Sequence, residues 1–301
     1  MPALRALRAA APGAPLALAA QPRIAALLAA LGIVDTAHDF EALGLGRFFT
    51  EDGAPAPALL AGAARVVCWF GARDPAFVRR FVASIPDSTV APPVGEGLVW
   101  RHLLASVVGD RRGGPSDASP GYCADEAGGR APLAVPADAR AAGEELLVRA
   151  GWDGAARVLL VHPGAGGIAK RWPTPGFVAA LAPWRDRRDV FVVLHQGPAD
   201  ADAVAALRAR MPRPLPVLVE PPLPALAGAL ARATAYLGND SGISHLACAV
   251  GAPAIVLFRE AGLRWRPWRD GVDILTVAMA AVEDADVAAV AAALAVKVRV
   301  Q

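Results

Sequence analysis

The stretch over 236–258 constrains the fold more than any other part of the chain. Its pattern predicts a buried strand that ends at Leu237, a short helix over 243–250 and a second buried strand over 254–258. The intervening Gly, Asn, Asp and Ser residues favour a turn and cap the start of a helix, and Gly251 ends the helix. A strand, a helix and a second strand in this order are typical of an α/β protein with a parallel sheet.

The first turn of this helix predicts an anion-binding site. The helix starts on the loop of Gly, Asn, Asp and Ser residues at the carboxyl end of a strand, so its unpaired backbone N–H groups point into the crevice where α/β sheets bind ligands. His245 follows Ser241 by four residues, which puts both side chains on one helical face at the mouth of that site. The alternative is a capped helix whose histidine only covers its first turn.

Short apolar runs and helical patterns alternate along the rest of the chain. This alternation predicts parallel sheets whose faces are covered by helices. The further predicted strands are at 16–19, 33–36, 65–70, 88–91, 157–162, 190–195, 216–220 and 274–277. The further predicted helices are at 23–30, 75–85, 97–108, 137–151, 174–184, 199–211, 223–233 and 283–294.

The length of 301 residues predicts two domains of ordinary size, each with its own core. Residues 111–136 are rich in Gly, Pro and Ser and form the best candidate for a linker. We therefore predict an N-terminal domain over 1–136, which includes this linker, and a C-terminal domain over 137–301.

Composition excludes several classes of protein. The 55% hydrophobic content is inflated by alanine, and no run of about 20 apolar residues is free of charge and proline, so no transmembrane helix is predicted. Pro12 and Pro15 interrupt the alanine-rich start, which argues against a signal peptide. A net charge of +2 gives no broad basic surface and argues against nucleic acid as the main partner.

The cysteines Cys68, Cys123 and Cys248 lack the spacing of a metal site. Cys68 and Cys248 fall in apolar surroundings and are predicted to be buried thiols, as in a reducing compartment. We expect a cytoplasmic protein that makes at most peripheral contact with a membrane, at the inner face of the inner membrane.

The segment over 162–173, His-Pro-Gly-Ala-Gly-Gly-Ile-Ala-Lys-Arg-Trp-Pro, is the first candidate for chemistry. Its glycines let a loop backbone approach a ligand after a strand, and Lys170 and Arg171 add positive charge. Lys170 and Lys297 are the only lysines in an arginine-rich chain, which favours Lys170 as a ligand contact. The segment is neither a Walker loop nor a Gly-x-Gly-x-x-Gly fingerprint. The alternative is a flexible loop with surface charges.

The segment over 196–202 follows the next strand and contains Asp200 and Asp202. The same Asp-x-Asp pattern recurs at 284–286, where a helix start explains it, so we predict no metal site and keep Asp200 as a candidate hydroxyl acceptor. Two glycine-bearing loops then face one crevice, one with Lys170 and the other with Ser241 and His245. The ligand that fits both is a diphosphate of a nucleotide, whose negative charge the loop dipoles and Lys170 would stabilise.

These segments resemble glycosyltransferase family 9, the heptosyltransferase family of lipopolysaccharide core assembly. The resemblance rests on His-Pro-Gly-Ala and Lys-Arg-Trp-Pro at 162–173, Gly-Pro-Ala-Asp at 197–200 and Gly-Asn-Asp-Ser-Gly-Ile-Ser-His at 238–245. It implies a GT-B fold, in which two Rossmann-like domains bind the acceptor on the N-terminal side and the nucleotide-sugar on the C-terminal side. It also implies inversion without a metal or a resident cofactor.

The resemblance also implies roles for single residues. Lys170 and Asp240 would be catalytic and contact the donor, with Lys170 on its phosphate. Ser241 and Gly242 would hold the diphosphate through backbone N–H groups, with His245 beside it. Asp200 would bind the ribose, as Asp in place of the family's usual Glu. The remaining donor-side positions implied are Gly164 and Ala165.

Two departures from the family pattern stand out. Arg259-Glu260-Ala261 occupies the place of the usual Gly-Pro-Thr, so the wall of the donor pocket is expected to differ. The residues over 1–8 look like the helix that follows the family's first strand and its Gly-Asp loop, whose aspartate is the proposed general base. We therefore expect an N-terminal domain without its first strand, no general base in these 301 residues, and a natural start about one strand and loop before Met1.

The resulting hypothesis is an inverting glycosyltransferase that moves a sugar, heptose from ADP-heptose, to a lipopolysaccharide-core or related glycan acceptor. The first alternative is a nucleotide-sugar-binding protein without catalysis, because the loop of the base is missing. The second is another GT-B-like enzyme such as a nucleotide-sugar epimerase, for which we find no suitably placed acidic groups. The sequence predicts no oligomeric state.

Overall fold

The computed structural model describes residues 1–108 and 130–299. The chain divides into two compact units, Met1–Arg130 and Ala131–Gln301. Cys123 and most of the predicted linker lie outside the described residues. Cys68 and Cys248 are buried free thiols, as predicted.

The second unit is built on a six-stranded sheet in which every neighbouring pair is parallel, in the order β10-β9-β8-β5-β6-β7. Its central strands are apolar on both faces because helices cover both sides of a parallel sheet. The strands are β5 Arg157–His162, β6 Val190–Gln196, β7 Val217–Val219, β8 Ala235–Asn239, β9 Ala254–Phe258 and β10 Asp273–Thr276. The helices are α6 Ala137–Arg149, α7 Thr174–Leu181, α8 Ala201–Arg208, α9 Leu223–Arg232, α10 Gly242–Ala249 and α11 Asp284–Arg299.

The order of strands creates a topological switch point between β5 and β8. From β5 the chain moves outward to β6 and β7, then returns to β8 on the other side of β5 and moves outward to β9 and β10. In the register of this pair, His162 lies beside Gly238 at the carboxyl ends of the two strands. The loops that follow β5 and β8 therefore flank the crevice in which doubly wound sheets bind ligands.

Helices α6 and α9 pack unusually closely because small residues face each other. A Cβ at Gly228 would lie 1.9 Å from the carbonyl oxygen of Ala139, and one at Gly143 would lie 2.2 Å from the amide nitrogen of Ala229. A main core of aliphatic residues and three aromatic side chains, Trp172, Phe177 and Trp184, packs between the sheet and the helices α7, α8 and α11. This core gives the second unit its own apolar interior.

The first unit contains two separate pairs of parallel strands, β1 with β2 and β3 with β4. Phe48, Phe77 and Phe81 form the aromatic centre of its core, with ring centroids 5.2–6.0 Å apart. The strands are β1 Ala17–Ala20, β2 Thr36–Asp39, β3 Val66–Cys68 and β4 Ser88–Val90. The helices are α1 Pro2–Ala10, α2 Pro22–Ala30, α3 Ala58–Ala61, α4 Pro75–Ser84 and α5 Val99–Val108.

The prediction of a strand at 33–36 is wrong by three residues, since β2 begins at Thr36. The amide nitrogens of Ile33 and Val34 both bond back to the carbonyl of Leu28, so these residues still belong to the turn that ends α2. Gly32 makes this turn with a φ of +67°, and pairing with the neighbouring strand starts only at Asp35. Apolar character alone therefore placed the strand too early.

Most other predicted elements are present, with shifted ends. Strands β5 and β9 have the predicted bounds. Helix α8 is shorter than the predicted 199–211, whereas α11 continues to Arg299 rather than ending at 294. Among the described helices, none is both long enough and apolar enough to cross a bilayer.

Candidate functional site

The turn between β8 and α10 is held by a buried network of hydroxyl groups. Ser241 caps α10, because its Oγ accepts a hydrogen bond from the amide of Ser244 at 3.2 Å. The Ser244 hydroxyl donates to the carbonyl of Asn239 at 2.5 Å and lies 2.9 Å from the hydroxyl of Tyr236. Burial raises the pKa of Tyr236, so this phenol stays protonated. The predicted helix start is thus fixed by a predicted cap, Ser241, and by a residue that was not predicted, Ser244.

The first turn of α10 presents unpaired N–H groups, as the sequence predicts. Within the described chain, the amides of Ser241, Gly242 and Ile243 have no hydrogen-bond acceptor. Gly242 is exposed, and a Cβ built on it would meet no atom within 4 Å. The helix dipole and these N–H groups together favour an anion at this position.

Asn239 joins this turn to the glycine-rich loop after β5. Its side-chain amide nitrogen donates to the carbonyls of Pro163 and Gly164, at 2.8 and 3.3 Å, and its Oδ1 accepts from the amide of Trp172 at 2.9 Å. The residue is completely buried. Sequence reasoning treated Asn239 as turn chemistry and missed this role, which depends on a contact with residues about 70 positions earlier.

Lys170 and Asp240 form an ion pair beside the first turn of α10. Lys170 ends a 3-10 turn over Ile168–Lys170, and its Nζ donates to Asp240 Oδ2 at 2.7 Å. The Asp240 side chain is 6% exposed and that of Lys170 is 36% exposed, so the cation lies at the surface end of the pair. The structure therefore brings together the two residues that were predicted as catalytic.

Arg171, next to Lys170, has a different environment. Its guanidinium donates to Asp202 Oδ2 at 2.7 Å and to the carbonyl of Ala199 at 2.8 Å, and also contacts the carbonyl of Ala165. It thereby ties the loop after β5 to the loop after β6. Arg171 is a structural cation here, whereas Lys170 remains accessible to a ligand.

Asp200 is buried between the same two loops. Its Oδ2 accepts from the amide of Gly197 at 3.0 Å, and its Oδ1 lies 4.0 Å from Arg171. A Cβ at Gly164 would lie 2.0 Å from Asp200 Oδ1, so glycine is required at 164 for Asp200 to occupy this place. Asp200 directly precedes α8, and its side chain makes no hydrogen bond that caps this helix.

His162, His195 and Asp200 form a buried cluster that sequence reasoning did not predict. The Nδ1 atoms of the two imidazoles are 3.1 Å apart, and His162 Nε2 lies 3.9 Å from Asp200 Oδ2. Burial lowers the pKa of His162, and the negative charge of Asp200 opposes this shift. The three side chains are of types that bind metals, with ligand atoms within 4.8 Å of one another. The only sequence signal was a histidine near the end of each of two adjacent strands.

His245 lies one turn into α10 and is half-buried. Desolvation lowers the pKa of its imidazole, and Asp240 opposes that shift, so the ring is neutral at pH 7.

Gly262, in a 3-10 turn over Glu260–Trp265, packs beside the site, since a Cβ there would lie 3.5 Å from Asp240 Oδ2. Arg259 and Glu260, which depart from the family pattern, are both exposed.

Solved structures with the same fold cover nearly the whole chain. An ADP-heptose lipopolysaccharide heptosyltransferase II from E. coli matches with a TM-score of 0.72 at 18% identity, covering 99% of this chain and 93% of that one. A family 9 glycosyltransferase from Veillonella parvula matches with a TM-score of 0.71 at 15% identity, covering 99% and 92%. The E. coli heptosyltransferase WaaC with ADP matches with a TM-score of 0.64 at 13% identity, covering 98% and 94%.

These likenesses confirm the predicted α/β architecture of the GT-B type. Among curated proteins, none matches this sequence. The sequence profile of glycosyltransferase family 9 (heptosyltransferase) matches residues 92–290, well over half of the chain, and this range contains the Lys170–Asp240 pair, Asp200 and the start of α10. The chain therefore belongs to glycosyltransferase family 9 and is a glycosyltransferase.

Proposed function

We propose that this enzyme transfers heptose from ADP-heptose to a hydroxyl group of a lipopolysaccharide-core or related glycan acceptor, with inversion and without a metal. The observation that carries the proposal is the Lys170–Asp240 pair beside the unpaired amides of α10. A lysine and a helix N-terminus converge there at a topological switch point, and their positive charge suits a diphosphate. One solved E. coli relative is an ADP-heptose heptosyltransferase and another is a heptosyltransferase with bound ADP, which supports the choice of donor.

In the proposed reaction, an acceptor hydroxyl attacks the anomeric carbon of the donor from the face opposite the diphosphate. A new C–O bond forms as the bond from the anomeric carbon to the phosphate oxygen breaks, and ADP leaves with the bonding electron pair. A general base takes the proton of the hydroxyl, a role that we assign to none of the described residues. One displacement of this kind inverts the anomeric configuration.

The residues of the site would act mainly on the leaving ADP. The amides of Ser241 and Gly242 would donate hydrogen bonds to the diphosphate, and Lys170 would stabilise the charge that builds on it. Asp240 would hold Lys170 in place and contact the donor. Neutral His245 would lie beside the diphosphate as a hydrogen-bond partner.

Asp200 would accept a hydrogen bond from a ribose hydroxyl, with Gly164 and Ala165 forming the backbone beside the nucleotide. Its 6% exposure means that the ribose would have to approach the loop backbone closely. We assign donor binding to the C-terminal domain, predicted as 137–301, and acceptor binding to the N-terminal domain, predicted as 1–136. We expect the reaction to take place in the cytoplasm, at the inner face of the inner membrane.

Metal independence is part of the proposal because Lys170 and the helix N-terminus can supply the positive charge that a metal would bring. The test is transfer after dialysis against EDTA, compared with transfer after addition of Mg²⁺ or Mn²⁺. Equal rates are expected. A rate that falls on chelation and returns with metal would contradict the proposal and would direct attention to the cluster of His162, His195 and Asp200.

The proposal as a whole is tested by incubating the chain with ADP-heptose and a core oligosaccharide acceptor. ADP release and a heptose-sized mass gain of the acceptor are both measured, with UDP-glucose as the control donor. Transfer is expected from ADP-heptose and not from UDP-glucose. ADP-heptose binding without ADP release would support the binding-only alternative, and transfer from UDP-glucose would refute the assigned donor.

A further inference from the structure

The buried cluster of His162, His195 and Asp200 places three side chains of metal-binding types around one point. All three residues are buried. One ligand atom of each lies within 4.8 Å of those of the other two, so a single point lies within about 2.8 Å of all three atoms, compared with ~2.1 Å in a zinc site. Movements of about 0.7 Å by each side chain would bring the three atoms to that distance.

The sheet holds two of these side chains in place. His162 ends β5 and His195 is the last residue but one of β6, and these strands are paired with Val161 beside Leu194. The next residues along the two strands are therefore neighbours, and their ring centroids are 5.0 Å apart. Groups on adjacent strands of a covered sheet are positioned more precisely than groups on loops, which favours a preformed site.

Asp200 reaches the same point from the loop after β6. It is a buried carboxylate whose ion pair with Arg171 is long, at 4.0 Å from Oδ1, because that guanidinium donates to Asp202 and to loop carbonyls. Its Oδ2 accepts from the amide of Gly197 and faces His162 at 3.9 Å. Buried charges are usually paired closely or bind metals, so a cation on the side of Oδ2 would stabilise this carboxylate.

The two imidazoles determine which cation suits the cluster. The Nδ1 atoms of His162 and His195 are 3.1 Å apart. Without an ion, one of these two nitrogens must carry a hydrogen that points at the other, whereas a metal is bound by the lone pair of a neutral imidazole nitrogen. Imidazole ligands suit zinc and its neighbours among the transition metals, whereas Mg²⁺ prefers oxygen ligands and keeps several waters. The set of ligands therefore selects Zn²⁺ over Mg²⁺.

This cluster differs from the metal-nucleotide site that the Asp-x-Asp pattern at 200–202 could suggest. The second acid of that pattern, Asp202, is exposed and bound by Arg171. The other two members of the cluster come from strands that precede the pattern, and one of them lies 38 positions before Asp200. The prediction against a metal site concerned the local pattern alone, and the cluster is a product of the order of strands.

We propose that His162, His195 and Asp200 form a site for one Zn²⁺ ion and that this ion inhibits the enzyme. The inhibition rests on the proposed function, because an ion on Asp200 neutralises the carboxylate that would accept a hydrogen bond from the ribose. Zinc and the donor therefore exclude each other. The metal-free chain is the active form, in agreement with the equal rates expected after chelation and with Mg²⁺.

The site is tested by calorimetric titration of the metal-free, untagged full chain with Zn²⁺ in a nitrilotriacetate buffer, without nucleotide. One ion per chain is expected, with a Kd of about 1 µM or lower. His195→Gln removes one ligand and should weaken binding by about 100-fold, or ~2.7 kcal/mol. His38→Gln, which removes a histidine of the first unit, is the matched control and should bind zinc as the unsubstituted chain does.

A second measurement on the unsubstituted chain covers the case in which His195→Gln does not fold. Co²⁺ is bound in place of Zn²⁺, and the proton NMR spectrum is searched for ring N–H signals that the paramagnetic ion shifts. Signals from two imidazoles are expected, and they should disappear when Zn²⁺ displaces Co²⁺. Bound Co²⁺ without any shifted imidazole signal would overturn the site.

The inhibition is tested by measuring the affinity for ADP at a free Zn²⁺ concentration ten times its Kd. Mutual exclusion should raise the apparent Kd of ADP about tenfold. In His195→Gln, a residue outside the proposed donor contacts, the same zinc concentration should leave the affinity unchanged. This variant also corrects for zinc that ADP binds in solution.

The outcomes separate the two proposals. Failure to bind Zn²⁺, or equal binding by the unsubstituted chain and His195→Gln, would overturn the metal site. Zinc that binds at the cluster without weakening ADP would overturn the inhibition. A metal-free chain that does not bind ADP would refute the proposed donor site and the inhibition with it, whereas the titration without nucleotide still decides whether the metal site exists.

Discussion

Lys170 and Arg171 show how neighbouring cations acquire different roles. The guanidinium of Arg171 is directed at Asp202 and two loop carbonyls, which are geometries suited to its planar donors. The ammonium of Lys170 has one described partner, Asp240, and stays one-third exposed. Because the ammonium is compact and lies at the surface, it can shift part of its interaction from the Asp240 carboxylate to a phosphate of a ligand. This difference explains why only Lys170 is assigned to the donor.

Replacing Lys170 by Met is expected to lower kcat/KM for ADP-heptose by about 100-fold, because stabilisation of the leaving diphosphate is lost. The substitution also leaves Asp240 buried without its partner and should lower the melting temperature. In the double variant Lys170→Met with Asp240→Asn, the melting temperature should recover while activity does not. Lys297→Met, which removes the other lysine, is the matched control and should leave kcat/KM unchanged. Equal activity of both single variants would refute the role of Lys170.

Asn239→Leu tests the link between β8 and the glycine-rich loop. The substitution leaves the carbonyl of Pro163 and the amide of Trp172 without their partner in a buried place, so the free energy of unfolding should fall by about 2–4 kcal/mol. The KM for the donor should rise, since the loop that carries Lys170 loses its anchor. Urea unfolding and steady-state kinetics provide the two readouts. A fall in stability without any change in KM would mean that the loop is held by other contacts.

At the scale of elements, the two glycine-bearing loops need their glycines for different reasons. Gly164 has no room for a side chain because Asp200 lies against it, whereas Gly242 at the start of α10 faces open space. Packing within the protein explains the first glycine. In the proposed donor site, the diphosphate approaches the helix N-terminus, and this approach requires the second glycine.

The pair Gly164→Ala and Gly242→Ala separates these explanations. Gly164→Ala should destabilise the second unit by about 1–3 kcal/mol through overpacking. Gly242→Ala should leave the melting temperature unchanged and weaken ADP binding about tenfold, or ~1.4 kcal/mol, because a methyl group obstructs the approach to the amides. Thermal unfolding and calorimetric titration with ADP are the measurements. Unchanged ADP affinity of Gly242→Ala would place the diphosphate elsewhere.

The buried contact of His162, at the end of β5, with His195, near the end of β6, predicts that the stability of the fold depends on pH. Burial lowers the pKa of His162 in the folded state below its ordinary value of 6.5. A lowered histidine pKa means that the unfolded chain binds the proton first, so the stabilising contribution is complete above pH 6.5 and is lost as the pH falls below it. The melting temperature should therefore decline from pH 7.5 to pH 5.5. His162→Gln should have a lower melting temperature at pH 7.5 but a flatter decline, and an equally steep decline would rule out His162 as its source.

At the scale of the whole molecule, every residue assigned to the donor lies in the second unit, which has its own sheet and its own core. The fragment 131–301 should therefore fold alone and bind ADP with an affinity within about tenfold of that of the full chain. Circular dichroism and calorimetry test these two expectations. A folded fragment without affinity for ADP would show that the first unit contributes to donor binding.

The loops around the candidate site show which features could be predicted from the sequence and which could not. The two glycine-bearing loops and the cap of α10 by Ser241 were predictable because each depends on residues within a few positions. The role of Lys170 at the donor stays a prediction. Ser244 and Asn239 were not, since their functions arise from bonds to Tyr236 and to the loop after β5. Strand β2 was misplaced because the turn after α2 holds apolar residues that a local pattern assigns to a strand.

The sequence by itself determined the alternating order of strands and helices, the positions of the two glycine-bearing loops and the membership of the family, because periodicity, capping and turn chemistry are local properties. Only the tertiary structure decided that Lys170 pairs with Asp240, that Arg171 is structural and that two histidines meet Asp200. These features depend on which strands are neighbours in the sheet. The order of strands is set by the packing of the whole unit, and no local pattern encodes it.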